Sequence, residues 1–232
     1  LYSWGYQGVT HMYDLQFWRG KLKRYTKKSN GIAARQVIVT LIPMALLWAA
    51  YLQLVEQSIW WFVPFSILLS FFILRCFVLM HDCGHNAMFK TRRLNRLVGF
   101  FMGVITGMPQ AVWSKNHDYH HNTNGDWVKY GGVFSIITTD DYAKMNERQR
   151  RNYWFYRHPW ILIPAGFVYV LFNPRVNWIL GHFAMAFKIL KKVFTFKFSE
   201  AAAVARAWDT KFWKSKEDYW HMTYNNVVLL SL

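Results

Sequence analysis

Hydrophobic and polar residues are arranged along this chain in long blocks. Residues 36–55 contain no charged side chain over twenty positions, and residues 57–80 contain only Arg75. A helix of about 20 apolar residues is long enough to cross the hydrocarbon core of a bilayer. The pattern therefore predicts an all-α integral membrane protein with a transmembrane helical hairpin over residues 36–80.

The charges that flank this hairpin predict its orientation. The chain has 28 Lys and Arg against 12 Asp and Glu, and the turn between the two apolar runs carries only Glu56. Basic residues lie on both outer sides: Arg19, Lys21, Lys23, Arg24, Lys27, Lys28 and Arg35 before the hairpin, and Lys90, Arg92, Arg93 and Arg96 after it. The positive-inside rule places both ends, including the N-terminal segment 1–35, in the cytoplasm.

Residues 97–112 form a shorter apolar run that contains several glycines. Sixteen residues are few for a transmembrane helix, and runs of this length are often interfacial or re-entrant. A crossing here would put the flanking polar segments on opposite sides of the membrane. We interpret the run as a re-entrant or interfacial segment within residues 81–126, so that both polar segments share the cytoplasmic face.

The following region, residues 127–224, is expected to hold cytoplasmic and interfacial helices. Thr139 can cap a helix over 140–157, and Pro159 would stop it. Residues 160–172 and 176–198 are predicted to be two interfacial amphipathic segments, and residues 201–224 a further helix. The apolar run at 225–232 predicts the start of a third transmembrane helix.

Five histidines form two tight clusters beside the apolar segments. His81 and His85 are four residues apart, and His117 is followed by His120 and His121. Residues three or four apart lie on one face of a helix, so each cluster can direct imidazoles toward one point. Imidazole binds iron, zinc, copper and nickel, and the spacing does not choose among them. The pattern predicts a metal site at a membrane surface.

Other polar residues near these clusters are candidates to contact the imidazoles. The candidates to hold the ligands by hydrogen bonds are Asp82, Asp118, Asn86, Asn116, Asn122 and Asp126, and solvated or helix-capping roles remain open for each. Four further histidines stand alone in the sequence. Among these, His182 is the possible extra ligand.

The residues around both clusters resemble a known family. Residues 81–85 read His-Asp-Cys-Gly-His, and residues 113–126 read Trp-Ser-Lys-Asn-His-Asp-Tyr-His-His-Asn-Thr-Asn-Gly-Asp. They resemble the first two histidine boxes of the membrane fatty acid desaturases. Their sequences are most similar to the acyl-lipid or omega-6-type branch. The resemblance continues through residues 140–159. It implies a desaturase domain over 1–232 in which histidine boxes hold two non-haem irons at the cytoplasmic face.

The resemblance also implies an activity and its partners. Such an enzyme uses O2 and electrons from a small carrier, such as a ferredoxin or a small b-type cytochrome, to desaturate a fatty acyl chain. The acyl group could be carried on lipid, carrier protein or coenzyme A, and Trp113 is a candidate to line its tunnel, although interfacial tryptophans are common. The basic face could attract an acidic electron donor or anionic membrane lipid.

One departure from the family pattern matters for activity. The family has a third box, another His-x-x-His-His that normally follows a second transmembrane hairpin, and no second sequence of this kind occurs between residue 121 and Leu232. Five imidazoles are too few for two irons that must keep positions open for O2. We therefore expect a truncated domain, a fragment that lacks the third box and is inactive alone.

Two alternatives remain open from the sequence, and a third is disfavoured. A membrane lipid hydroxylase of the same di-iron type would share the boxes, and a non-enzymatic membrane protein could use paired histidines for haem or a transition metal. A zinc protease is disfavoured because no His-Glu-x-x-His is present. Long charge-free runs favour a membrane over a nucleic-acid partner, and no nucleic acid is expected. A bacterial inner membrane is favoured, with plastid and endoplasmic reticulum open.

Overall fold

The computed structural model describes residues 15–124, 126, 129 and 137–231. These residues contain helices and no strand, so the prediction of an all-α fold is confirmed for them. Ten α-helices follow one another in this part of the chain: α1 Leu15–Leu22, α2 Asn30–Val55, α3 Phe62–Gly84, α4 Arg92–Thr106, α5 Gln110–Thr123, α6 Thr139–Lys144, α7 Glu147–Phe155, α8 Pro159–Phe194, α9 Phe198–Ala207 and α10 Lys216–Ser231. Short 3-10 turns at Lys23–Thr26 and Ile59–Trp61 precede α2 and α3.

The predicted hairpin consists of α2 and of the run Ile59–Gly84, which contains α3. Both are 26 residues long and apolar enough to cross a membrane, and at 1.5 Å per residue each extends about 39 Å. Helix α2 begins at Asn30, earlier than the apolar run, because the Ser29 hydroxyl accepts the Ile32 N–H and caps the helix. Each membrane helix therefore extends beyond its apolar run into the polar segment at the cytoplasmic end expected from the charges.

A polar contact joins the two helices of the hairpin. The Arg75 guanidinium on α3 donates to the Thr40 hydroxyl at 2.8 Å and to the Gln36 side-chain carbonyl, both on α2. Thr40 is completely buried. Hydrogen bonds between membrane helices satisfy polar groups that hydrocarbon cannot. The only charged residue of the second apolar run therefore links α3 to α2.

Helices α4 and α5 meet at a sharp bend of 97°. Gly107 ends α4 with a left-handed backbone (φ 73°), and the next N–H, of Met108, bonds to the Gly103 carbonyl at 2.7 Å. Arg175 of α8 donates to the Gly107 carbonyl. A cation at the C-terminal end of a helix complements the helix dipole. The bend fits either a broken transmembrane span or a re-entrant loop, so the re-entrant segment remains a prediction.

Glycines let α3, α4 and α5 pack at close range. A methyl group added at Gly103 would lie 2.5 Å from the Met108 carbonyl oxygen, and one added at Gly99 would lie 3.0 Å from the Cys83 side chain. Beside these glycines, a buried apolar cluster fills the space between the helices: Cys76, Leu79, Met80, Met102 and Met108. These three helices therefore form the core that supports the histidines.

Hydrogen bonds and an ion pair fix the polar ends of this core. The fully buried Asn95 side chain accepts the Phe89 N–H at 3.0 Å and donates to the Phe89 and Thr91 carbonyls, which fixes the turn between α3 and α4. Lys115 of α5 pairs with Asp218 of α10, whose side chain is almost fully buried. The polar ends of the core are thus fixed by specific hydrogen bonds.

The prediction of a single helix over residues 140–157 is wrong. The chain forms two helices there, α6 and α7, with a break at Met145. Thr138 caps α6 through the Asp141 N–H, in place of the predicted Thr139. Asn146 and Gln149 then form a reciprocal capping box at the start of α7. A strong N-terminal capping signal inside a polar stretch favours a new helix over continuation of the first.

The boundaries predicted after Pro159 are also wrong. The segments 160–172 and 176–198 form one 36-residue helix, α8, which continues through Pro174. The helix predicted over 201–224 is interrupted after α9, where Trp208 has a left-handed backbone (φ 49°). Residues 225–231 continue α10 from Lys216, and the start of a third transmembrane helix there remains a prediction. Tertiary packing of α9 and α10 on α8 replaces the boundaries that local composition predicted.

We predict that Gly103→Ala destabilises the fold by about 1–3 kcal/mol, because the added methyl group meets a backbone carbonyl that cannot rotate away. The measurement is thermal unfolding by circular dichroism in detergent micelles. Gly166→Ala on α8 is the matched control, since its new methyl group meets nothing within 4 Å and alanine is the better helix former. Equal stability of the two variants would contradict the close packing at Gly103.

Candidate metal centre

Two helices bring four of the predicted ligands together. His81 lies in the last turn of α3 and His85 directly follows that helix, while His117 and His121 are one turn apart on α5. One nitrogen from each of these four imidazoles lies within 4.8 Å of the others. The two sequence clusters, separated by about thirty residues, therefore form one group.

The distances within this group suit a metal ion. The Nε2 atoms of His117 and His121 are 2.9 Å apart. Two nitrogens that each lie about 2.1 Å from one metal ion, at right angles, are separated by about 3 Å. The ring centroids of His81 and His117 are 4.8 Å apart, and those of His85 and His121 are 5.0 Å apart. Each helix thus contributes rings that face rings of the other.

A small residue on α3 permits this approach. A methyl group added at Gly84 would lie 2.3 Å from the Ser114 Oγ of α5, and Ser114 is buried beside Gln110. A side chain at position 84 would therefore force Ser114 to rotate or shift, so glycine allows α3 and α5 to pack closely here. The sequence analysis missed Gly84, although a glycine inside the first histidine box was the available signal.

Two predicted carboxylates contact the imidazoles. Asp82 Oδ1 lies 2.9 Å from His81 Nδ1, and Asp118 Oδ1 of α5 lies 3.2 Å from His85 Nδ1 of α3. A carboxylate that accepts the Nδ1 proton fixes the tautomer and leaves the Nε2 lone pair for a metal. The Asp118 contact also joins the two histidine clusters.

The other predicted polar residues take different positions. Asn122 lines an open cavity of about 580 Å³ together with His81, His85, Asp118 and His121. The remaining three do not face that cavity: Asn86 occupies a left-handed turn (φ 54°), Asn116 is exposed on α5, and Asp126 accepts the Lys129 N–H. Of the three asparagines, Asn122 is the one placed to contact a ligand beside the imidazoles.

His120 and His182 lie outside the group of four that the described residues form. The His120 ring is on the same helix, with its centroid 5.9 Å from that of His117. The His182 Nδ1 lies 2.7 Å from the Trp178 carbonyl, and its Nε2 lies 3.3 Å from the Tyr219 hydroxyl. Because protein groups occupy both nitrogens of His182, it is poorly placed to serve as an extra ligand.

Trp113 packs against the group of four imidazoles. Its indole stacks on the His117 ring, with centroids 4.4 Å apart and planes inclined by 17°. The indole also makes a T-shaped contact with Phe77, and the centroids of these two rings are 5.2 Å apart. This stacking holds the orientation of one candidate ligand. The role of Trp113 in an acyl tunnel remains a prediction.

The surroundings keep His117 neutral. Burial, followed by repulsion from the neighbouring imidazoles, of which His81 and His121 are the largest contributors, lowers the pKa of His117 to about 4. A neutral imidazole is the form that binds metal. The electrostatics of the metal-free cluster therefore favour ligation at neutral pH.

The comparisons with known proteins identify the family. The model of the family described as fatty acid desaturase matches residues 58–230, which is most of the chain. The chain belongs to the fatty acid desaturase family. It is similar to a fatty acid desaturase of Bacillus subtilis, with 34% identity over 145 residues, 61% of this chain and 41% of that protein. The family resemblance is therefore confirmed, and the two long apolar helices agree with a membrane protein.

Plant desaturases are also similar to this chain. A Delta(8)-fatty-acid desaturase of Helianthus annuus shares 31% identity over 44% of this chain and 22% of its own length. An endoplasmic reticulum omega-3 fatty acid desaturase of Vigna radiata shares 30% over 32% of this chain and 19% of its own. The matched part is less than half the length of each of these relatives. No solved structure gives a significant match.

We predict that His117→Ala weakens Fe²⁺ binding by more than about 100-fold, since losing even an outer partner of a ligand weakens binding by about 10- to 100-fold. Iron content after anaerobic loading and desalting, with a Kd from titration, measures this. His182→Ala is the control and should retain the wild-type affinity. Equal losses in the two variants would contradict the assignment of the site to the four-imidazole group.

The low pKa of His117 also predicts how stability changes with pH. The unfolded chain takes up this proton near pH 6.5 and the folded chain only near 4, so the metal-free protein loses stability as the pH falls through this window. Above pH 6.5 the titration of His117 no longer changes the stability with pH. Melting temperatures measured with chelator from pH 7 to 4.5 should fall less steeply for His117→Gln than for the wild type. Parallel curves would show that His117 protonates normally.

Proposed function

We propose that this chain carries part of a histidine-ligated di-iron centre at which O2 is used to desaturate a fatty acyl chain. The observation that carries the proposal is the convergence of His81, His85, His117 and His121 from two helices onto one point. Family membership supports the reaction, and the donor set supports a metal. When bound, the irons would supply the oxidation of unactivated C–H bonds with O2.

The number of ligands supports an incomplete site. Four converging imidazoles, with His120 adjacent, could hold one iron well or share two, but two irons with positions open for O2 need more donors. We propose that histidines from a further part of a longer protein complete the centre. The open cavity beside His81, His85 and His121 leaves that side accessible. On this proposal the 232 residues alone are inactive.

The residues of this chain would prepare the site in three ways. Asp82 and Asp118 would hold the Nδ1 protons of His81 and His85 and keep their Nε2 atoms free for metal. Trp113 would fix the His117 ring by stacking. His117, neutral at pH 7, would bind metal without first losing a proton.

The position of the group supports a cytoplasmic membrane site. His81 lies in the last turn of a helix long enough to span the bilayer, and basic residues follow it. We propose that the four imidazoles face the cytoplasm, where the electron donor, a ferredoxin or a small b-type cytochrome, would approach the basic surface. The acyl carrier can be lipid, carrier protein or coenzyme A.

The test is fatty acid analysis of host cells. The chain would be expressed alone and fused to the portion of the Bacillus subtilis desaturase that lies C-terminal to the matched region. We expect one added double bond, detected by gas chromatography and mass spectrometry, from the fusion and none from the chain alone. His117→Ala should abolish the product in the fusion, and His182→Ala should not.

Each alternative function has its own signature in the same experiment. Hydroxylated fatty acids in place of unsaturated ones would favour a lipid hydroxylase. A haem Soret band in the purified chain, without any fatty acid product from the fusion, would favour a haem-binding membrane protein. Turnover by the chain alone would contradict the proposal that its metal centre is incomplete.

A further inference from the structure

Another cavity with charged lining residues lies where α2 begins and α3 ends. It has a volume of about 310 Å³ and is formed by the segment before α2, the first two turns of α2, and the last part of α3 with the turn after it. We call it the hairpin-foot cavity. Its charged lining residues are Lys27, Lys28, Arg75 and Asp82.

The charge of this cavity is unbalanced. Three cations face one carboxylate, and that carboxylate already contacts the His81 ring at 2.9 Å. Among the residues that the structure describes, none of the three cations forms an ion pair with an acidic side chain. Cations gathered at the edge of an apolar helix pair repel one another unless an anion joins them. The cavity therefore favours a negatively charged occupant.

Arg75 is held in a fixed orientation at this cavity. Its Nε donates to Thr40 and one terminal nitrogen donates to Gln36, and the Thr40 hydroxyl is itself fixed by donating to the Gln36 backbone carbonyl at 2.7 Å. Both acceptors are neutral, so the full positive charge remains. A guanidinium has five N–H donors, which leaves others for a further acceptor. A planar, oriented guanidinium suits the oxygens of a phosphate.

Apolar side chains continue from the cavity along the hairpin. Ile32 and Val78 line it and are 59% and 48% exposed, and both belong to helices that would contact lipid. An occupant with a phosphate at Arg75 and hydrocarbon chains on the faces of α2 and α3 would satisfy both features. A free phosphate ion would satisfy only the first.

We propose that the hairpin-foot cavity binds the headgroup of an anionic phospholipid, with its phosphodiester between Arg75 and the lysine pair Lys27 and Lys28. A zwitterionic headgroup carries its own cation and would leave the excess positive charge of the cavity uncompensated. The site therefore distinguishes lipids by net charge. This inference concerns lipid binding and is independent of desaturation.

The test is native mass spectrometry of the detergent-purified chain, titrated with phosphatidylglycerol or phosphatidylcholine of identical acyl chains. We expect the wild type to prefer phosphatidylglycerol. Arg75→Gln should weaken phosphatidylglycerol binding about tenfold, the value of one hydrogen bond between charged groups. Lys27→Gln with Lys28→Gln should reduce it similarly, and because both lysines are exposed, this variant reports on binding even if Arg75→Gln disturbs the hairpin.

The matched control removes the same charge elsewhere. Lys144→Gln with Arg148→Gln changes two exposed basic residues on α6 and α7 that do not line the cavity, and it should retain the wild-type preference. Circular dichroism would confirm equal helicity of all variants. Equal affinity of the wild type for both lipids, or equal loss in the control and in the double lysine variant, would overturn the proposal.

Discussion

The close contact between α3 and α5 is the constraint on which the candidate metal centre depends. Ligands on two helices can share a metal only if the helix axes approach within the reach of two imidazoles. Gly84 allows this approach, because its missing side chain leaves space for Ser114. The contact needs α5 to turn sharply after α4, and the left-handed Gly107 provides that turn. Two glycines, both outside the ligand set, therefore contribute to the packing that brings the histidines together.

The second determinant is electrostatic. Four imidazoles within 4.8 Å would repel one another if charged, and the lowered pKa of His117 shows that the cluster favours the neutral form. The carboxylates of Asp82 and Asp118 contact the Nδ1 atoms of His81 and His85, so they orient these rings and leave the Nε2 atoms for a metal. Neutral imidazoles with oriented rings are the form in which histidines bind a metal.

Charged groups near the membrane helices serve different purposes. Asp82 and Asp118 orient imidazoles. Arg75 links α3 to α2 through neutral partners and keeps its charge. Arg175 instead caps the bend at Gly107 through backbone carbonyls. Both arginines thus donate to backbone or side-chain acceptors near hydrocarbon, where polar groups need partners.

The sequence by itself determined the hairpin and the chemistry of the site. Twenty uncharged residues form a spanning helix wherever they lie, because hydrocarbon leaves the backbone no other partner, and histidines four apart share a helix face. Only the tertiary structure decided that His117 and His121 join His81 and His85 while His182 bonds elsewhere, since that depends on contacts between distant helices. It also decided the boundaries after residue 137. Local composition suggested one helix where capping at Asn146 made two, and two segments where α8 is continuous, because capping and packing outweigh weak helix propensities.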